Sequence, residues 1–240
     1  MIKLNRKQIR WTLLFFAIVF NCWMLYSFQS ANLPENTFVS TPQLSVTETD
    51  DFISYHPTKA SKLTVLFYPG GLVDPKAYAP LCRRIAEHSY TVIIIKMPWR
   101  MANMGYKIPF EKGLLSDTTH QFVMIGHSKG AAMIARFIYE YPQYIDKAIL
   151  MATTHPKEQD LSHLKIPIMK ILASNDGIAD EKSILDNKRL LPDLTKYIRI
   201  PGGNHAQFAH YGRQFMDGKA SITREQQQEI VLECILSFLK

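Results

Sequence analysis

The sequence predicts an α/β domain, a mainly parallel sheet with helices covering both faces. Short, nearly continuous apolar runs recur along the chain, and strands buried on both faces read this way because they have no polar side to alternate with. Longer runs with helical spacing fall between most of them, the order expected when each strand is followed by a crossover helix. At 240 residues the chain is long enough for one large core. Hydrophobic residues make up 47% and charged residues 20%, which excludes a disordered or collagen-like chain.

In order along the chain, residues 1–10 form a basic segment with Lys3, Arg6, Lys7 and Arg10 and no acid. Residues 11–28 (WTLLFFAIVFNCWMLYSF) carry no charge. As a helix they reach about 27 Å, enough to cross a thin hydrocarbon layer. Basic residues before the span predict a cytoplasmic N-terminus and an extracytoplasmic domain. A cleaved signal peptide is the rival reading. It would have a shorter apolar run and a pair of small residues before the cut, and Ser27, Ser30 and Ala31 do not supply that pair. Residues 29–46, polar and containing Pro34 and Pro42, read as a linker, and residues 47–240 as the folded domain.

Lys plus Arg is 28 against 21 for Asp plus Glu, a formal charge of +7. Four of the basic residues precede the apolar run, so the rest of the chain is only mildly basic. That balance argues against a nucleic-acid partner, which requires clustered basic residues on the folded part. Three cysteines, Cys22, Cys82 and Cys234, are too few for a disulfide framework. Cys82 and Cys234 read as buried free thiols on the first and last helices of the domain, with a disulfide between them the alternative that an extracytoplasmic location permits.

Six strands are expected, at residues 64–68, 91–96, 122–125, 148–151, 168–172 and 197–200, from β-branched and aromatic content. Residues 52–55 suit an antiparallel edge strand. Helical spacing marks residues 75–87, 131–141, 181–191 and 223–239. In such sheets the chemistry sits on loops at the carboxyl ends of the strands, so those loops hold the candidates.

After the third strand comes Gly126-His127-Ser128-Lys129-Gly130, followed by a helix. This is G-x-S-x-G in its strand–turn–helix setting. The turn lifts Ser128 above the sheet edge, Gly126 and Gly130 leave room for it, and the helix start aims N–H groups at a developing oxyanion. Ser128 is therefore the candidate nucleophile, and Lys129 contributes its backbone N–H. His127, adjacent in sequence, reads as a packing residue. The first strong strand ends in Pro69-Gly70-Gly71, where glycine lets the backbone approach a reacting carbonyl. Gly71 is the first candidate for the second oxyanion donor and Leu72 the second. The acid belongs after the serine, at the end of the fifth strand, where Asp176 sits; Asp180 is its rival. The base follows the sixth strand as His205, after Gly202-Gly203. His155 and His163 fall where they are able to line the site, and His210 reads as a surface or packing residue. No H-E-x-x-H spacing is present, so neither a metal nor another cofactor is expected.

The segments FYPGGLVDPKAYAPL, IIIKMPW, GHSKGAAMIA, ASNDGIA and GGNHAQFAHYGRQFMDGKASITREQQQ resemble the alpha/beta hydrolase fold-5 family within the alpha/beta-hydrolase superfamily. The similarity runs over residues 48–240. It implies an alpha/beta-hydrolase fold with Ser128 as nucleophile, Asp176 as acid, His205 as base, and the Gly71 and Lys129 N–H groups as oxyanion hole. Ala131 stands where many relatives carry a second glycine. Residues 152–165, where many relatives insert a cap, are too few for a large lid. The segment 101–115, with Met101, Met104, Tyr106, Ile108 and Phe110, suits either a pocket wall or core packing. The expected activity is hydrolysis of a small-molecule carboxylic ester or thioester by a single-pass membrane protein. An acyltransferase or peptidase with the same triad, or a catalytically silent anchored binding domain, stays open.

Overall fold

The structure, a computed structural model, describes residues 5–240, so Lys3 of the expected basic segment lies outside the described residues. The sheet has eight strands: β1 (Leu44–Glu48), β2 (Phe52–Pro57), β3 (Leu63–Tyr68), β4 (Thr91–Ile95), β5 (Gln121–His127), β6 (Lys147–Met151), β7 (Ile168–Ala173) and β8 (Lys196–Ile200). Their order is β1-β2-β4-β3-β5-β6-β7-β8. β1 and β2 are antiparallel, and every pair from β4 to β8 is parallel. The helices are α1 (Arg6–Ser27), α2 (Ala79–Ala86), α3 (Ala102–Gly105), α4 (Ile108–Glu111), α5 (Lys129–Glu140), α6 (Glu181–Asp186) and α7 (Arg224–Leu239).

Alternation along the central strands sorts the core into two layers. Val65, Phe67, Val123 and Ile125 pack with Leu81 and Ile85 of α2 and Val231 and Ile235 of α7. Leu66, Tyr68 and Met124 pack with Ile134, Phe137 and Ile138 of α5. A solid apolar strand is what this two-sided burial requires. α7 starts at a capping box, in which Thr223 Oγ1 accepts from Gln226 N–H and Gln226 Oε1 accepts from Thr223 N–H. Cys82 and Cys234 remain free thiols in the α2/α7 layer.

Four features differ from the expectation. The helical pattern at 181–191 breaks after α6 into a 3₁₀ turn, Lys188–Leu190. β2 is not the edge, because β1 pairs outside it. Residues 29–46 do not hang as a linker but lie along the domain. Ala31 N–H donates to the His210 carbonyl at 2.9 Å, Thr37 is buried, and the Arg83 guanidinium donates to the Asn36 and Val39 carbonyls. A polar segment with prolines satisfies its backbone against a domain surface as readily as against water. Phe28, expected in the apolar span, is buried in the core, edge-to-face with Tyr211 at 6.0 Å.

No helix occurs between β6 and β7, so the edge above them carries no large cap. Lys170 of β7 holds that connection in place. It is buried, and its Nζ donates to the Thr153 and His155 carbonyls at 2.7 and 2.8 Å. Burial without a carboxylate partner lowers its pKa to about 7. The unfolded chain keeps that proton up to the ordinary lysine range, so between about pH 7 and pH 10 unfolding takes up a proton and stability rises with pH. In Lys170→Met this contribution disappears. Chemical denaturation of the full chain in detergent should show the wild type gaining up to about 1.4 kcal/mol per pH unit more than the variant across that window.

Candidate active site

The site is built on the carboxyl edge of β3, β5, β7 and β8. Between β5 and α5, Ser128 adopts φ 53°, ψ −118°, a conformation that costs an L-residue about 1–3 kcal/mol and persists only where packing imposes it. The packing is visible at the flanking glycines. A Cβ on Gly126 would lie 2.7 Å from Ile134 Cδ1 and 2.9 Å from the Ala131 nitrogen, and one on Gly130 would run into the Tyr68 and Pro69 carbonyl oxygens. Ser128 N–H donates to the Met151 carbonyl at 2.9 Å and its carbonyl accepts from Ala132 N–H at 3.0 Å. The side chain stays half-buried at the edge.

The loop after β3 lies against this turn. A Cβ on Gly70 would sit 3.6 Å from Ser128 Cβ, and one on Gly71 3.3 Å from Lys129 Cβ. Gly71 and Lys129 thus bring their backbones together beside Ser128. Leu72, the second candidate donor, is occupied: its N–H donates to the Arg100 carbonyl at 2.8 Å. The Lys129 side chain is exposed.

Asp176 and His205 meet on the neighbouring loops, with His205 Nδ1 2.8 Å from Asp176 Oδ2 and both side chains buried. The other carboxylate oxygen of Asp176 accepts from Ile178 N–H at 2.8 Å and Ala179 N–H at 2.7 Å. His205 Nε2 is buried without a partner. Asp180, the rival acid, instead caps α6, accepting from Ser183 N–H at 2.9 Å. His210 is a packing residue, with Nδ1 3.1 Å from the Asn32 carbonyl.

Two residues that sequence reasoning missed hold this arrangement. Asp217 is buried and accepts from His205 N–H (3.1 Å), Ala206 N–H (2.9 Å) and Gly177 N–H (3.3 Å), tying the Asp176 loop to the His205 loop. Its only signal is an Asp-Gly pair in a polar tail. Tyr78 Oη accepts from Gly70 N–H at 2.9 Å and shares a hydrogen bond with His127 Nδ1 at 2.8 Å. His127 is fully buried, and burial above all, with His205 nearby, pushes its pKa well down. Its ring packs 4.5 Å from that of His205. Nothing in the sequence marks Tyr78 apart from other helix-face aromatics.

His155, half-buried in the connection after β6, has its pKa lowered to about 4 by burial and by Lys129, Lys157 and Lys170. Of the segment 101–115, Tyr106 and Phe110 pack on the far end of α5, through Glu140, Tyr141 and Tyr144. Met101 and Met104 stay exposed. Among the described residues, no group of three or more His, Cys, Asp or Glu is placed to hold a metal.

A strained serine between a parallel strand and a helix, with an Asp–His pair on later loops, defines a class. The model of the Alpha/beta hydrolase family matches residues 64–229, and the chain belongs to that family. No curated protein matches the sequence. Among solved structures, it is similar to MGS-MChE2, an alpha/beta hydrolase enzyme from the sediment metagenome of the Mar Chica lagoon, Morocco. The identity is 15%, over 81% of this chain and 99% of that one, with a TM-score of 0.59. It is also similar to Est1E from Butyrivibrio proteoclasticus, solved with ferulic acid bound, at 10% identity over 83% and 97% of the chains and a TM-score of 0.58. At those identities the likeness is one of fold.

The Asp217 contacts give a test of the scaffold. Asp217→Asn removes the charge behind three hydrogen bonds and turns an N–H₂ toward a backbone donor. Charge-assisted bonds contribute about 1.5–3 kcal/mol each, so the unfolding free energy should fall by about 3 kcal/mol, read by chemical denaturation. A change below about 0.5 kcal/mol would show that the two loops hold each other without it.

Proposed function

We propose that this chain is a serine hydrolase that cleaves a carboxylic ester or thioester, held at a membrane by α1. The observation that carries the reading is the buried Asp176–His205 pair, with His205 Nε2 left unpartnered on the same edge as the strained Ser128. His127 Nε2 is also without a partner, but only His205 of the two has its other ring nitrogen on a carboxylate, the arrangement a general base needs. In this reading Ser128 Oγ attacks the substrate carbonyl while His205 Nε2 takes its proton. Asp176 holds the imidazole tautomer and stabilises the imidazolium. The N–H groups of Gly71 and Lys129 donate hydrogen bonds to the oxyanion. His205 then protonates the leaving alcohol or thiol, and water, deprotonated by the same nitrogen, releases the acid from the acyl-enzyme.

The anchoring rests on α1, which is long and apolar enough to cross a membrane and leaves Trp11, Phe15, Phe16 and Ile18 more than half exposed. Arg6, Lys7 and Arg10 at its start favour a cytoplasmic N-terminus and an extracytoplasmic domain.

The test is labelling with a fluorophosphonate, together with turnover of p-nitrophenyl butyrate. Wild type should label, and Ser128→Ala should not. Asp176→Asn should keep the fold and lose about 10³–10⁴-fold in kcat, because the imidazole loses its tautomer control. A well-folded wild type that neither labels nor turns over the ester would assign the domain to binding instead of catalysis.

A further inference from the structure

The apolar helix and the candidate site occupy the same edge of the domain, with no slack between them. α1 ends at Ser27, whose hydroxyl donates to the Arg213 carbonyl and whose carbonyl accepts from Gly212 N–H at 2.7 Å. The next residue, Phe28, is already in the core, and its carbonyl accepts from Asp74 N–H at 2.9 Å, in the loop after β3. Gln29 accepts from the Arg100 guanidinium at 3.0 Å, in the loop after β4. The domain therefore meets α1 through the loops at the carboxyl ends of the strands. α1 itself, 22 residues long, extends about 33 Å, close to the thickness of a hydrocarbon core.

One loop follows α1 back toward its start. Residues 212–217 leave Ser27 and place Phe215 against Phe20, ring to ring at 5.3 Å. Phe20 is seven residues before Ser27, so this tip reaches about 10 Å along the helix. Phe215 and Met216 at the tip are 55% and 73% exposed, and Asp217 immediately after them pins the backbone of His205 and of Gly177 beside Asp176. The other loops of this edge also turn large apolar side chains outward: Leu72 beside Gly71, Trp99 and Met101 after β4, and Ile178 beside Asp176. Trp99 is 83% exposed. It and Arg100 both have positive φ, 54° and 55°, in a loop fastened by the Leu72 N–H to Arg100 carbonyl bond. The opposite edge begins its strands and their approaches with Lys62, Gln121, Lys147 and Lys196. An exposed tryptophan bordered by Glu48, Asp74, Lys76, Lys96 and Arg100, beside a helix of spanning length, suits the boundary between headgroups and hydrocarbon.

We propose that the mouth of the site rests on the bilayer, with the Phe215–Met216 tip inserted beside α1, and that the ester it cleaves is an acyl ester of a membrane lipid. The substrate half of this proposal rests on the hydrolase reading above. A lipid whose carbonyl sits at the headgroup boundary reaches Ser128 while its chain stays among the acyl chains. The absence of a cap between β6 and β7 then leaves the bilayer itself to cover the site. The ester and water are consumed, and a fatty acid and the lipid alcohol are released.

The experiment uses the full chain in phosphatidylcholine vesicles, with Trp11→Phe and Trp23→Phe leaving Trp99 as the sole tryptophan. Phosphatidylcholine brominated in its acyl chains should quench Trp99 emission at least twofold relative to the unbrominated lipid. Adding Phe215→Ser and Met216→Ser should reduce that quenching. It should also lower the rate on vesicle-borne dioleoylglycerol about tenfold relative to the rate on water-soluble p-nitrophenyl butyrate. Protein that floats with vesicles while Trp99 stays unquenched overturns the docking surface, and a cross-linked dimer in that case assigns the face to a second copy. Equal loss on both esters overturns the lipid substrate. Protein that fails to float overturns the anchor and the proposal together. If no ester is cleaved and Ser128 takes no fluorophosphonate, the hydrolase reading and the lipid substrate fall, while the quenching still decides the surface.

Discussion

The turn at Ser128 is the constraint on which the rest of the site depends. β5 lies between β3 and β6 in a parallel sheet, and α5 must start within one residue of the strand's end to pack back over it. Gly130 then comes so close to the Tyr68 and Pro69 carbonyls that no side chain fits. This contact fixes the loop after β3 relative to the helix start, which is why the Gly71 and Lys129 backbones converge beside Ser128. The strained φ of Ser128 is a consequence of that closure, held by the burial of β5 and α5 on both sides.

The later half of the site hangs on a different kind of force. Ala206 and Phe208 anchor the His205 loop in the core and Ala179 buries the Asp176 loop, but polar groups set the two side chains. One carboxylate oxygen of Asp176 is spent on the backbone of its own loop, and the other faces the imidazole. Asp217 spends both oxygens on the two loops at once. Beneath them, Tyr78 bridges Gly70 and His127 by hydrogen bonds, and His127 packs under the His205 ring. The loop after β3 and His205 are therefore coupled through buried polar side chains, where each unmet bond is costly.

What was legible in the sequence follows from the same division. The central strands, α5 and α7 were readable because two-sided burial writes solid apolar runs and amphipathic helices. Ser128, Gly126 and Gly130 were readable because sterics allow few residues there. Asp176 and His205 were readable as positions at strand ends, and the structure brings them to 2.8 Å. Asp217 and Tyr78 were not, because their roles depend on contacts across 40 and 49 residues of chain that no local pattern encodes. Residues 29–46 were misread for a related reason. Prolines and polar residues describe a strap over Arg83 and His210 as well as they describe a free tether, and only the tertiary contacts separate the two.

The strap also changes what α1 does to the domain. A free tether of 18 residues would let the domain tumble above a membrane, and no face would be favoured. With Ser27 bonded to Arg213 and Phe28 in the core, the helix joins the domain with no intervening linker, and the direction in which it leaves is set beside the site. Phe28 carries both roles: its burial against Tyr211 draws it out of the apolar span, and this shortens the connection to nothing. The same apolar character that made it read as part of the membrane segment is what locks the loops around Ser128 to the end of that segment.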